Sequence, residues 1–112
     1  MQPTYPEAYA FDSPLTLREM LARLRDPEPW PWGMRDSDTF AEYLVTRPDG
    51  GPTKLRIIRR IFPGDGPPFL MDVFYLPGSP ENRLSRPEVE QVIQTQVLPA
   101  LQAHKVQPAG GL

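Results

Sequence analysis

The sequence contains no cysteine, a single histidine and no long hydrophobic run. Without cysteine there are no disulfide bonds and no thiolate chemistry, and a reducing compartment is favoured, so we expect a cytoplasmic protein. The apolar stretches 8–11 and 73–76 are too short for a signal peptide or a membrane span. The formal net charge of −2 over 112 residues also provides no overall attraction to nucleic acid or to an anionic membrane.

Recognisable catalytic and metal-binding motifs are absent from the sequence as well. His104 is expected near the end of a helix, and no second histidine exists with which it would hold zinc. Asp36 and Asp38 bear carboxylates, but a calcium loop needs a glycine where the chain has Ala41, so a turn is the better interpretation. We therefore predict no metal and no cofactor, and we favour a non-enzymatic protein over an enzyme.

Proline and glycine are abundant, with 16 and 8 residues, but many of them cluster between segments that have a regular hydrophobic pattern. This placement is typical of turns in a folded chain. The length suits one domain over residues 1–112. Residues 1–12 show no period and are predicted to form an extended arm, and residues 106–112 are predicted to be a tail without order.

Two helices are indicated by capping-box spacings. Thr16 and Glu19 precede an apolar stripe that predicts a helix over 16–25, and Ser85 and Glu88 begin a second stripe that runs to residue 101. Pro99 should kink the second helix, because it cannot donate a hydrogen bond to Thr95. Between the helices, the tryptophans at 30 and 32 suggest a short edge strand, and we expect them to lie in the core rather than to anchor a partner.

Three segments, 39–47, 54–62 and 69–76, are rich in β-branched and aromatic residues and are separated by proline- and glycine-rich turns. They predict an antiparallel meander. The predicted fold is α+β, with a three- or four-stranded antiparallel sheet and an N-terminal and a C-terminal helix packed on one face, in the order α-(β)-β-β-β-α. The helices should cover the face that carries Leu44, Ile57 and Phe74.

The turns suggest a register in which Arg47 pairs with Lys54 and Phe62 pairs with Phe69. Because side chains alternate between the two faces, this register places a row of three charged residues, Glu42, Arg59 and Asp72, on the helix face. A buried ion triplet under the helices is the favoured interpretation. The alternative is the floor of a polar pocket.

The opposite face should remain partly open and basic. We predict that it carries the partner-binding residues, which are Arg47, Lys54, Arg56, Arg60, Tyr43, Tyr75 and Met71. Such residue types are enriched at interfaces. The leading hypothesis is a protein that binds an acidic macromolecule as an inhibitor, an immunity-like or antitoxin-like protein, or a homodimerising module.

Two further hypotheses remain open. One is a small enzyme or ligand-binding domain that uses the Glu42, Arg59 and Asp72 pocket. The other is a platform for single-stranded nucleic acid, which the negative net charge and the absence of a β-α-β-β-α-β strand order disfavour.

Overall fold

A computed structural model describes residues 5–25, 30–37, 41–48, 52–60 and 66–109. It places two helices on one face of a six-stranded antiparallel sheet. The strands are β1 (Ala8–Asp12), β2 (Gly33–Ser37), β3 (Ala41–Thr46), β4 (Lys54–Arg59), β5 (Phe69–Phe74) and β6 (His104–Ala109), in the spatial order β2-β3-β4-β5-β1-β6. The predicted α+β class is confirmed, but the sheet has six strands rather than three or four.

Helix α1 (Leu17–Leu24) begins as its capping box predicts. The Thr16 hydroxyl accepts the Glu19 N–H at 3.2 Å, and the Glu19 carboxylate accepts the Thr16 N–H at 3.0 Å. These bonds satisfy backbone groups that a helix start would otherwise leave unpaired. Met20 and Leu24 on one side of the helix are buried, so α1 packs on the sheet through its apolar stripe.

The C-terminal helix spans α2 (Arg86–Val92), a π-helical segment (Ile93–Val97) and α3 (Leu98–Ala100). Ser85 caps it through a second capping box, as predicted. At the irregularity expected from Pro99, the N–H of Leu98 donates to the carbonyl of Ile93, five residues back. A single π turn within an α-helix is one of the irregularities that accompany such a break in the bonding pattern.

A Schellman motif ends the C-terminal helix. The N–H of Gln102 donates to Pro99 O at 3.0 Å, and the N–H of Ala103 donates to Leu98 O at 3.1 Å. Gln102 has a φ of 51°, in the left-handed region that this motif requires. The chain then enters β6, whose first residue is His104, so His104 belongs to a strand and not to the end of the helix, where it was expected.

Residues 8–12 and 104–109 form strands, which corrects the expectation of an arm over 1–12 and a tail over 106–112, while residues 1–4 of the predicted arm lie outside the described part of the chain. β1 lies between β5 and β6, with Tyr9 opposite Met71 and opposite Pro108. Residues 106–109 belong to β6, while residues 110–112 lie outside the described part of the chain. A short strand that contains two alanines has little intrinsic preference for the extended state, so its role depends on the neighbours that it finds.

One face of the sheet, called the helix face, carries the main core. Its buried strand residues include Phe11, Leu44 and Ile57, which pack against residues of both helices such as Met20 and Ile93. Trp30 and Trp32 are 4% and 3% exposed and belong to the same cluster, so the predicted core role is confirmed for both. The prediction that both helices cover the face with Leu44, Ile57 and Phe74 is confirmed for Leu44 and Ile57 and wrong for Phe74.

The register between β3 and β4 is the predicted one, since Leu44 pairs with Ile57 and Thr46 pairs with Leu55. The register between β4 and β5 differs by three residues, so that Arg59 is opposite Phe69. An odd shift turns every side chain of β5 to the other face. Phe74, predicted to lie under the helices, is therefore 53% exposed on the opposite side of the sheet.

The difference arises in the connection between β4 and the start of β5, which is longer than the six-residue turn that the prolines suggested. The N–H of Arg60 donates to Pro68 O at 2.7 Å, so seven residues, 61–67, separate the last bonded pair. Phe62, the predicted partner of Phe69, lies outside the described residues. Phe69 instead meets Arg59.

A polar cluster ties β1 to the C-terminal helix. The Glu90 carboxylate accepts hydrogen bonds from the Tyr9 hydroxyl, from Arg86 Nη1 at 2.9 Å and from Gln94 Nε2 at 3.0 Å. Burial, together with the bond and charge of Glu90, raises the pKa of Tyr9 to about 12. Burial acts to raise the pKa of Glu90, but the three hydrogen bonds and the charge of Arg86 outweigh it and hold that pKa below its ordinary value.

Replacing Gln102 by glycine should stabilise the protein by roughly 0.5–1 kcal/mol, because glycine adopts the left-handed conformation without a steric penalty. Gln96→Gly, at an exposed helical position, should instead destabilise by about 1 kcal/mol. Urea unfolding measures both free energies. A loss of stability in Gln102→Gly would contradict the assigned helix end.

The pKa of Glu90 predicts a loss of stability in acid. A carboxylate with a lowered folded pKa stabilises the fold above the ordinary value of 4.5, and this contribution disappears as the pH falls through the folded pKa. Glu90→Gln should therefore be less stable than wild type by about 1–2 kcal/mol near neutral pH, and the difference should shrink in acid. Exposed Glu81→Gln serves as the control, and a Glu90→Gln difference that stays constant with pH would argue against the cluster.

Candidate binding surface

The face of the sheet opposite the helix face, called the second face, carries two short rows of side chains. One row contains Val45, Arg56, Asp72 and Ala8, and the adjacent row contains Tyr43, Ile58, Leu70 and Ala10. Ala8, Ala10 and Leu70 form a separate small cluster, to which the helices of the described residues contribute nothing. This face therefore has an apolar centre but no helical layer over it in the described structure.

An ion pair between Arg56 and Asp72 lies in the middle of the second face. Arg56 Nε is 3.1 and 3.2 Å from the two Asp72 oxygens, and Arg56 Nη2 also bonds the carboxylate. Asp72 is only 8% exposed. The hydrogen bond to Asp72 raises the pKa of Arg56 against the opposing effect of burial, with further contributions from the charges of Asp72 and Tyr43. The guanidinium thus stays charged and satisfies a nearly buried carboxylate.

Three other cations surround this centre. Lys54 is opposite Phe74, Arg35 is opposite Tyr43, and Arg60 follows β4 at the far end of the same face. Among the described residues, none of the three side chains has a hydrogen bond or an ion pair. The Nε of Arg60 is moreover a buried donor without an acceptor. Buried donors are normally paired, so this nitrogen is an exception among the described residues.

Lys54 borders a cleft of about 450 Å³ at one end of the second face. The cleft is also lined by Glu7, Asp72, Phe74 and Tyr75. Phe74 is 53% exposed, the largest exposure among the large apolar side chains of the described residues. The exposed ring of Phe74 offers apolar contact area, and the adjacent ammonium group of Lys54 offers a positive charge to an acidic partner.

The predicted partner-binding residues are partly brought together. Tyr43, Lys54, Arg56 and Arg60 share the second face, as expected from the confirmed register between β3 and β4. Arg47 and Tyr75 lie just beyond the ends of their strands. The prediction for Met71 is wrong, because the three-residue shift of β5 turns its side chain into the core, where it is fully buried.

Two residues of this surface were missed. Arg35 belongs to β2, and its place on the second face follows from pairing with β3. Phe74 was assigned to the helix face. The sequence did contain a signal for the exposed position of Phe74. Asp72 needs a positively charged partner such as Arg56 on the second face, and residues i and i+2 of a strand share a face, so Phe74 lies on the same face as Asp72.

The predicted row of Glu42, Arg59 and Asp72 does not form. Asp72 bonds Arg56 on the second face, Glu42 bonds Arg18 of α1 at 3.2 Å, and Arg59 is exposed. The physical reason is again the odd shift of β5, which removes Asp72 from the face of Arg59. Neither the buried triplet nor the three-residue pocket exists as predicted.

Asp36 lies within β2 rather than in the expected turn, and Asp38 is outside the described residues. The described ranges contain no group of three side chains suited to hold a metal ion. They also contain no helix with the length and hydrophobicity needed to cross a membrane. Comparison with known protein families, curated proteins and solved structures finds no match to this chain.

Asp72→Asn should lower the free energy of unfolding by about 1–3 kcal/mol, because Arg56 is left largely buried without a counter-charge. Joint replacement of Arg56 and Asp72 by leucine should cost less than Asp72→Asn alone, since no charge then remains buried. Asp36→Asn on exposed β2 is the control, with an expected change within about 0.5 kcal/mol. Urea unfolding distinguishes the variants, and an Asp72→Asn protein as stable as the control would contradict the role of the pair.

Proposed function

We propose that this protein is a non-enzymatic binding protein that recognises an acidic protein partner through the second face of its sheet. The observation that carries the proposal is the set of cations without a partner among the described residues, Arg35, Lys54 and Arg60, around an apolar centre. Protein interfaces commonly combine an apolar centre with a polar rim. Here the rim is positive, although the chain as a whole has a charge of −2.

The partner's acidic groups would neutralise Lys54 and Arg60, while Phe74 would supply buried apolar area. Charges at the rim mainly accelerate association and select the partner, whereas a buried aromatic residue contributes more of the affinity. The proposed function is that of an inhibitor, an immunity-like or antitoxin-like protein, or a self-associating module. A cytoplasmic location is part of the proposal, and its support is the cysteine-free sequence.

Single-stranded nucleic acid is the competing ligand for a face with cations and aromatic rings. It is disfavoured by the Arg56–Asp72 pair, which places a carboxylate at the centre of the face and neutralises one of its cations. A nucleic-acid complex would weaken steeply with added salt and would tolerate changes of base sequence. Binding of that kind would count against the proposed function.

A photo-crosslinking residue placed at position 74 should capture the partner in a lysate of the organism of origin. The same residue at position 106, an exposed apolar position on β6, is the matched control. We expect one acidic protein, or a second copy of this chain, to be captured from position 74 and not from position 106. Equal capture from both positions would contradict the use of the second face.

With the captured partner purified, Lys54→Glu and Arg60→Glu should each weaken binding by roughly tenfold, because charge reversal repels an acidic surface. Arg23→Glu, on the exposed side of α1, should leave the affinity unchanged. Arg56 is unsuitable for reversal because it holds Asp72. Full affinity in both reversed variants, measured by isothermal titration calorimetry, would overturn the proposal.

A further inference from the structure

A second concave site lies on the helix-face side, at the end of the sheet where β1, β4 and α1 converge. This cavity measures about 650 Å³, within the range of about 300–1,000 Å³ that is usual for small-molecule sites. It is separate from the second face, because none of its charged lining residues belongs to that face. These residues are Asp12, Arg18, Glu42 and Arg59. Its apolar lining includes Leu15, Leu17 and Phe69.

The carboxylates of this cavity are already engaged. Glu42 is 3.2 Å from Arg18 Nη2. Asp12 accepts the N–H of Ser13 at 2.8 Å and lies 3.5 Å from Nε2 of His104. Neither carboxylate is therefore bonded to Arg59, although both belong to the same cavity.

The hydroxyl groups of the cavity are engaged in the same way. Ser13 Oγ donates to the carbonyl of Leu101 at 2.7 Å, and Thr16 Oγ1 accepts the N–H of Glu19. Arg59 remains, among the described lining residues, the charged side chain without a hydrogen bond or an ion pair. The site thus offers a free guanidinium next to apolar walls.

The neighbours of Arg59 explain why its side chain has no partner among the described residues. Phe69 is opposite Arg59 on β5. On β3, Tyr43 is opposite Ile58, so the next position along the two strands brings Glu42 opposite Arg59. The Glu42 carboxylate, however, is bonded to Arg18 of α1. The register of β5 also places Asp72 on the other face. An arginine in this position can form a bidentate pair with a carboxylate that enters from solution.

We propose that this cavity is a binding site for a small carboxylate, with the guanidinium of Arg59 holding the carboxylate group and Leu15, Leu17 and Phe69 contacting an apolar body. Arg18 is paired with Glu42, so the guanidinium of Arg59 is the group that attracts an anion, and its planar fork favours a carboxylate geometry. The apolar walls favour an aromatic or aliphatic acid over a fully polar one. This site goes beyond the proposed partner binding and does not depend on it.

The test is a titration of the isotopically labelled full chain with sodium benzoate, followed by the amide signals in NMR spectra. Saturable shifts are expected at Ser13, Leu17 and Phe69. Benzamide, which has the same ring without the charge, should bind about tenfold more weakly, as expected for the loss of a charged hydrogen-bonded pair. Shifts that are scattered over the protein or that do not saturate would overturn the proposal.

Arg59→Gln should weaken benzoate binding by about tenfold, and Arg59→Lys should fall between this variant and wild type because it keeps the charge but loses the fork. Arg59 is exposed, so these variants are expected to fold. Arg83→Gln is the matched control, because Arg83 is exposed and lies far from the cavity. Its neighbour Asn82 bonds Thr53, which precedes the first residue of β4, whereas Arg59 is the last residue of that strand. Equal affinity of wild type and Arg59→Gln would reject the site.

Discussion

The ion pair between Arg56 and Asp72 is the interaction on which the arrangement of this sheet depends. A carboxylate within a buried strand needs a counter-charge, and Asp72 finds it directly opposite on β4. That pairing belongs to a register in which Met71 meets Ile57 under the helices and Phe74 turns outward beside Lys54. One electrostatic requirement is therefore coupled to the composition of the core and to that of the exposed surface.

The position of β1 follows from the same strand. Ala8 lies opposite Asp72 and Ala10 opposite Leu70, so small side chains flank the ion pair and the apolar centre of the second face. On the helix face, the Tyr9 hydroxyl reaches Glu90 of the C-terminal helix. The first strand of the chain thus links the sheet to the last helix, and it joins β6 to the rest of the sheet.

Alternation along β4 separates the two proposed sites. Lys54, Arg56 and, beyond the strand end, Arg60 belong to the second face, whereas Arg59 borders the cavity near α1. Arg56 is used within the fold, while Lys54, Arg59 and Arg60 have no ion-pair partner in the described structure. One strand can therefore serve a macromolecular surface and a small-molecule site on opposite sides, because adjacent residues point in opposite directions.

The sequence by itself determined the local features: both capping boxes, the break near Pro99, the core role of Trp30 and Trp32 and the register of β3 on β4. Each depends on residues close in sequence or on one short hairpin. Only the tertiary structure decided the role of β1 and β6 and the partner of Asp72. The backbone hydrogen bonds of a strand are made to other strands, so its place in the sheet is set by residues distant in sequence. A register shift of three residues in β5 was therefore enough to exchange the faces of Met71 and Phe74.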